Sequence, residues 1–389
     1  MKILLIHNKY QYKGGEDTVF ESEFNMLKNR AEQVEKLVFN NNEINSIVSK
    51  IKVGIYSFYN NESAKVLSKK IEEFKPDIIH VHNFFPIASP SIFYVANIKK
   101  VPIVMTLHNY RLVCPNAMLF RDNKVCEDCI NKSFAFDGVF HGCYRDSKIQ
   151  TLFLASMIWF HKRNKTWLNR VDRYIALTDF AKNKFLNSSL KLDKSKIVVK
   201  PNFVIDNGFE LDKEEYCLFV GRLSQEKGIE VMLNAFKNSS KKIQIIGTGP
   251  LVDMVKEYST KYENIEYLGF KSIDFIIQKL KKAKALIFTS ILYETFGMTI
   301  IEAFSTATPV VCSDIGGPAE IVEDGKTGLK YQVGNSKELQ KKVEQLYTDE
   351  SLHIKLCRGA REEFEKKYTE KINYLYLKKI YESIINEKV

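Results

Sequence analysis

No apolar run in this 389-residue chain approaches the ~20 residues that a membrane-spanning helix needs. A secretory core is also missing: MKILLI offers four apolar residues after one lysine before His7 and Asn8 intervene. Low-complexity segments and internal sequence repeats are absent, so neither a disordered linker protein nor a solenoid is expected. No RNA- or DNA-binding motif is present, although basic residues are in excess. There are 58 Lys and Arg against 47 Asp and Glu, a net charge of +11. That excess is therefore read as favouring an anionic membrane face or a phosphate-rich substrate, not nucleic acid. With no leader, a cytoplasmic, reducing compartment is expected, and disulfides are not.

What remains is ordinary globular composition, 45% hydrophobic and 27% charged. The length suggests two domains. The most informative stretch is 283–329. A strand pattern (Ala285–Thr289) runs into a loop holding Glu294, Phe296 and Gly297, then a helix pattern (Met298–Ser305) containing Glu302. A second buried strand (Pro309–Ser313) leads to Gly316-Gly317 and Glu320. Strand–loop–helix–strand is the unit of a parallel sheet, whose ligands lie at the carboxyl ends of the strands. Amides at a helix N-terminus suit phosphate, and ionised carboxylates only accept hydrogen bonds, so hydroxyl-rich ligands fit them.

A second such unit begins at Tyr216–Val220. It ends in Gly221-Arg222-Leu223-Ser224-Gln225-Glu226-Lys227-Gly228 before the helix pattern IEVMLNAF, a cationic loop at a helix N-terminus. Strands at 243–250, with Gly247 and Gly249, and at 264–270, ending in Gly269-Phe270, follow. In the first half, KILLIH leads to a loop with Gly14-Gly15 before a helix pattern, a place where backbone amides can approach a ligand. IIHVHN and PIVMTLHNY are further strands, and His108 closes the latter. His80 and His82 read as packing or acceptor contacts. Residues 203–215 are polar and aperiodic, a linker pattern.

Glu294 and Glu302 with the intervening Phe296-Gly297, then Gly316-Gly317 and Glu320, resemble the donor-site signature of retaining glycosyltransferases of family 4. The loop with Arg222 and Lys227 is similar to that family's diphosphate-gripping element. The resemblance implies an α/β protein of GT-B architecture: two Rossmann-like domains with parallel sheets facing an interdomain cleft. It implies an acceptor domain over 1–202, with a Cys-rich insert at 114–143 and a C-terminal helix (371–389) packing back on it, and a donor domain over 203–370. The catalytic set would be His108, Glu294, Arg222 and Lys227. Donor binding would add Gly14, Gly15, Gly247, Gly269, Phe270 near the base, Phe296, Gly297, Met298 and, on the ribose, Glu302.

The function implied is transfer of a sugar from a nucleotide-diphosphate sugar, a UDP-sugar foremost, with retention of configuration. The acceptor would be a glycan or a polyprenyl-diphosphate-linked oligosaccharide, in cell-surface polysaccharide synthesis. No cofactor is expected for catalysis, since the family neutralises the leaving diphosphate with protein groups. The alternative is a non-catalytic sugar-nucleotide-binding subunit. A phosphorylase on the same fold lacks its pyridoxal-lysine signature here, and a zinc-dependent RNA-binding protein has only charge and cysteines behind it.

Two further segments stand out. Cys114, Cys126, Cys129 and Cys143 place four thiols in one short segment around a C-x2-C knuckle. Structural zinc, free thiols and disulfides are all open there. The insert is associated with the surface-polysaccharide subgroup. Cys217, Cys312 and Cys357 read as core thiols. Residues 148–170 combine an apolar stretch (Thr151–Phe160) with Lys162, Arg163, Lys165 and Trp167. An aromatic and basic helix of this kind suits peripheral attachment to the inner membrane face.

Overall fold

In the computed structural model, which describes residues 1–9, 14–40, 54 and 56–387, the apolar runs become two parallel sheets. The strands are β1 (Lys2–Lys9), β2 (Gln33–Asn40), β3 (Ile78–Val81), β4 (Ile103–Thr106), β5 (Phe120–Arg121), β6 (Lys124–Val125), β7 (Arg173–Ala176), β8 (Ile197–Val199), β9 (Glu214–Val220), β10 (Lys242–Ile246), β11 (Ile265–Gly269), β12 (Ala283–Phe288), β13 (Val310–Ser313) and β14 (Gly328–Tyr331). The first sheet has the order β2-β1-β3-β4-β7-β8 and the second β11-β10-β9-β12-β13-β14. Every pairing within both is parallel. β5 and β6 form a separate antiparallel hairpin. Runs such as ILLI, IIHV, ALIF and VVCS are buried along their whole length, as strands covered on both faces must be.

The chain divides into two compact units. One comprises 1–119, 126–200 and 374–389; the other 120–125 and 201–373. Hydrophilic caps start the helices between strands. Asn60 accepts from the amides of Glu62 and Ser63, and Thr178 from that of Ala181. In the first unit the last helix, Glu370–Asn386, is tied down by Tyr381, whose hydroxyl lies 2.7 Å from His80 Nδ1, and by a 2.7 Å ion pair between Arg173 and Glu387.

Two sequence expectations change. The helix Lys148–Arg163 is apolar on two faces. Leu154, Ala155, Met157, Ile158 and His161 are buried, while Ile149, Leu152, Phe153, Trp159 and Phe160 are exposed. Trp167, read as an interfacial aromatic, is instead 1% exposed and packs on Phe84 and Phe93. Lys162 is not a free surface cation either. It donates to Ser189 Oγ at 2.7 Å and to the Lys132 carbonyl at 3.2 Å, and burial pulls its pKa down to about 8. Among the described residues no helix is long and apolar enough to cross a membrane.

Candidate active site

An open parallel sheet binds ligands outside the carboxyl ends of its strands, at the point where the strand order reverses. In the second sheet that point lies between β9 and β12. β9 runs out into the loop 221–228 and β12 into the loop 289–297, so the two motifs read from sequence become neighbours. Their backbones interlock. Thr289 Oγ1 donates to the Lys227 carbonyl at 2.7 Å, and the Ile291 amide to the Glu226 carbonyl at 2.9 Å. Gly228 (φ +68°) permits this, because a Cβ there would stand 2.0 Å from the Thr289 carbonyl oxygen. Gly247, after β10, is held as closely: its Cβ would lie 1.8 Å from the Gly221 oxygen.

Across the junction Lys227 Nζ donates to Glu294 Oε1 at 2.7 Å, and the Ser290 hydroxyl donates to the same oxygen. The Glu294 carbonyl accepts from the Gly317 amide at 2.9 Å, which ties in the loop after β13. The helix Met298–Ser305 starts at Gly297 with no side chain capping its first amides, so an anion can take that place. Arg222 is exposed at the edge of this ring of loops, and its guanidinium has no side-chain partner among the described residues. Glu302, on the same helix as Met298, is partly exposed, and burial pushes its carboxyl up to about 7.

The remaining donor-site positions are less uniform. Phe296 is 6% exposed with its ring against Tyr368, so its backbone alone faces the loop junction. Met298 Sδ takes a 3.5 Å contact from Asn202 Nδ2. Gly269 (φ +75°) accepts from the Gly247 amide at 3.0 Å, and Phe270 beside it is 78% exposed, an aromatic face open to a planar base. Glu320 is exposed on the short helix Gly316–Ile321.

In the first sheet the order reverses between β1 and β3. Of the loop after β1, residues 10–13 lie outside the described residues. Gly14 does not offer its amide: Asp17 Oδ2 accepts it at 2.7 Å, while Asp17 Oδ1 lies 2.7 Å from His7 Nε2. Gly15, at the start of the helix Gly15–Asn29, has open space around its Cα. His108, two residues beyond β4, is half-buried, and its Nε2 lies 3.0 Å from His82 Nδ1 with the rings stacked. His80 and His82 are themselves 0% and 2% exposed, core groups and not ligand contacts.

The four cysteines of 114–143 do not make a closed metal cage as placed. Among the described residues the ligand-type groups that converge within 4.8 Å are Glu23, His80 and His82, with no set from the cysteines. Cys114 Sγ instead donates to Asn116 Oδ1 at 2.9 Å, and burial, with the neighbouring Cys114 and Cys126, raises the Cys129 thiol to about 11. No disulfide joins them, and Cys217, Cys312 and Cys357 are buried thiols.

Two family models match adjoining parts of the chain: Glycosyltransferase Family 4 over residues 57–207 and Glycosyl transferases group 1 over 204–366. The chain belongs to the family 4 glycosyltransferases. Its fold is GT-B, as in HepE of Anabaena solved in complex with UDP, which aligns at a TM-score of 0.68 with 17% identity over 98% of this chain and 99% of that one. An uncharacterized glycosyltransferase of Methanocaldococcus jannaschii is 29% identical over 55% of this chain and 60% of its own length. The capsular polysaccharide biosynthesis glycosyltransferase CapM of Staphylococcus aureus is 24% identical over 58% of this chain and 60% of its own. The chain thus spans about 60% of the length of either relative.

Three groups of this family 4 chain escaped sequence reasoning: Glu23, Lys200 and Ser290. Lys200 Nζ donates to Glu23 Oε1 at 2.6 Å, and both are 1% exposed or less. The signal for Glu23 was present. It falls in register with Val19, Phe20, Met26 and Leu27, the buried face of its helix, where an unpaired carboxylate would not be tolerated.

Proposed function

We propose that this protein moves a sugar from a nucleotide-diphosphate sugar, a UDP-sugar first among them, to a glycan or polyprenyl-diphosphate-linked acceptor with retention of configuration. The observation that carries the reading is the joining of the Arg222–Lys227 loop to the Glu294 loop at the reversal point of the second sheet, beside the uncapped helix at Gly297. Arg222, Lys227 and the first amides of that helix would take the diphosphate. Glu302 would accept from the ribose hydroxyls, and Phe270 would meet the base. Glu294 and the backbone of 296–298 would hold the sugar. Departure of the diphosphate concentrates negative charge on the leaving oxygen, and pre-placed cations and amides are the largest available source of stabilisation for it. No metal has a step in this scheme. The setting proposed is cell-surface polysaccharide synthesis at the inner membrane face, supported by the capsular relative and by the exposed apolar face of the helix Lys148–Arg163.

For the cysteine segment, structural zinc remains the proposal to measure. The spacing supports it and the sulfur positions do not. Metal analysis of protein purified without chelator decides, with about one equivalent for it and none against.

The transferase reading is tested by screening nucleotide sugars for binding, then measuring nucleotide-diphosphate release with lipid-linked and soluble glycan acceptors. Turnover of one donor with product retaining the donor's anomeric configuration is the expected result. Tight donor binding without turnover on any acceptor would favour the non-catalytic subunit. No binding of any nucleotide sugar would overturn both.

A further inference from the structure

The loop that leaves the carboxyl end of β4 carries Arg111, a half-buried arginine of the first unit. Its guanidinium is held in place without an acid. The central carbon lies 4.9 Å from the centre of the Phe85 ring and 5.3 Å from that of Tyr144, and Nη1 donates to the Pro115 carbonyl. Nε is buried and has no partner. A second guanidinium, that of the exposed Arg145, stands over the same Tyr144 ring at 5.4 Å. Tyr144 is itself fixed, because its amide donates at 2.9 Å to Thr151 Oγ1 on the helix Lys148–Arg163. Arg145 and Asp146 enter this turn with φ of +55° and +52°, the left-handed region that costs residues other than glycine.

Three other arginines are neutralised locally: Arg121 pairs with Asp122, Arg173 with Glu387, and Arg361 with Asp206 and Glu365. Among the described residues neither Arg111 nor Arg145 has a carboxylate within ion-pair distance. Each guanidinium lies within 5.4 Å of the Tyr144 ring centre, so the two charges are at most twice that distance apart. That is on the order of one Debye length (~10 Å at 0.1 M salt). Aromatic faces hold such cations in place and do not neutralise them. A guanidinium fork matches phosphate oxygens, and the separation suits the two phosphoryl groups of one diphosphate. Apolar surface adjoins the pair. Lys148 lies over the Phe140 ring at 5.3 Å, and Phe136, Phe140 and Ile149, on the helices either side of the turn, are each 70% exposed. A prenyl chain would cover that surface, which inorganic phosphate would leave in water.

We propose that Arg111 and Arg145 bind the diphosphate of a prenyl diphosphate, with the prenyl chain against Phe136, Phe140 and Ile149. The use of such a site rests on the transferase reading: it would hold a lipid-linked acceptor by its headgroup.

Calorimetry of the full chain with farnesyl diphosphate, inorganic diphosphate and UDP tests this without any turnover. Wild type should bind farnesyl diphosphate more tightly than inorganic diphosphate, by about tenfold or more for the apolar carbons it buries. Arg111→Gln and Arg145→Gln should each weaken farnesyl diphosphate by about tenfold or more, as for loss of a charged hydrogen bond, and leave UDP affinity unchanged. UDP should not compete with farnesyl diphosphate, since the loop with Arg222 and Lys227 belongs to the second unit. Arg145 is exposed, so Arg145→Gln decides even if Arg111→Gln does not fold. Farnesyl diphosphate affinity unchanged in folded Arg145→Gln, or full competition by UDP, overturns the proposal. Equal affinity for inorganic and farnesyl diphosphate leaves the prenyl chain no role and overturns it as well. Failure of every protein to bind UDP would count against the transferase reading and leave the farnesyl diphosphate titrations standing, so the two failures are distinguishable.

Discussion

Lys200 Nζ, at 0% exposure, forms a 2.6 Å ion pair with the buried carboxylate of Glu23. Removing one member of a buried pair strands the other, at a cost of about 3–5 kcal/mol, whereas replacing both with apolar groups is often neutral or stabilising. Glu23→Leu alone should therefore lower stability by about that amount, and Glu23→Leu with Lys200→Met should recover most of it. Denaturant unfolding of the four proteins of the cycle measures this, and additive losses would show that the two charges do not depend on each other. Glu302 behaves in the opposite sense. Its pKa is raised on folding to about 7, so between about 4.5 and 7 the native state binds more protons than the unfolded chain. Its contribution to stability accordingly falls as pH rises through that window. Hydroxyl donors need the ionised form. Affinity for a nucleotide-diphosphate sugar should rise about tenfold from pH 6 to pH 8 by linkage, and Glu302→Gln should flatten the profile. Calorimetry at the two pH values checks both, and a flat wild-type profile would remove Glu302 from the ribose.

Loops at strand ends carry the candidate site, and they show how far sequence could reach. The strands CLFV and ALIF, the helix IEVMLNAF and the helix Met298–Ser305 were legible because a doubly covered strand is a short continuous apolar run. β2 was not, because Gln33–Asn40 lies at a sheet edge and has no fully buried residue to mark it. The amphipathic helices Val252–Lys261 and Ile273–Lys282 were likewise passed over, each having a narrow buried stripe among many charges. Arg222, Lys227, Glu294 and Glu302 could be named as candidates because charge at a strand–helix junction is a local signal. The ion pair of Lys227 with Glu294, 67 residues apart, is not local and came only with the sheet order. That pair separates two variants otherwise alike. Arg222→Ala removes an exposed cation and strands nothing, so it should weaken nucleotide-diphosphate binding by about 1–3 kcal/mol with an unchanged melting temperature. Lys227→Ala should weaken binding similarly but also leave Glu294 with Ser290 as its remaining partner, lowering the melting temperature slightly. Titration calorimetry and thermal melts distinguish them, and unchanged affinity in both would remove the loop from the diphosphate.

Net charge is a property of the whole chain, and at +11 it acts beyond any one contact. On the first unit it meets an exposed apolar face. Ile149, Leu152, Phe153, Trp159 and Phe160 line one side of the helix Lys148–Arg163, and Phe136 and Phe140, each 70% exposed, lie on the short helix before it. Exposed cations flank the face at Arg145, Lys148, Arg163 and Lys165. An anionic bilayer would match both, with the rings entering the headgroup boundary and the cations staying among the phosphates. Each basic residue near such a surface contributes about 1 kcal/mol. Alanine at all four flanking positions should therefore weaken binding to anionic vesicles by roughly a hundredfold or more. Trp159→Ser with Phe160→Ser should weaken it without changing its salt dependence, because those side chains supply apolar contact and no charge. Co-sedimentation with vesicles containing or lacking anionic lipid, across a salt series, separates the two contributions. If wild type ignores anionic vesicles at low salt, the membrane proposal fails and a soluble acceptor is favoured. If it binds and neither variant is weakened, the membrane face lies elsewhere on the chain.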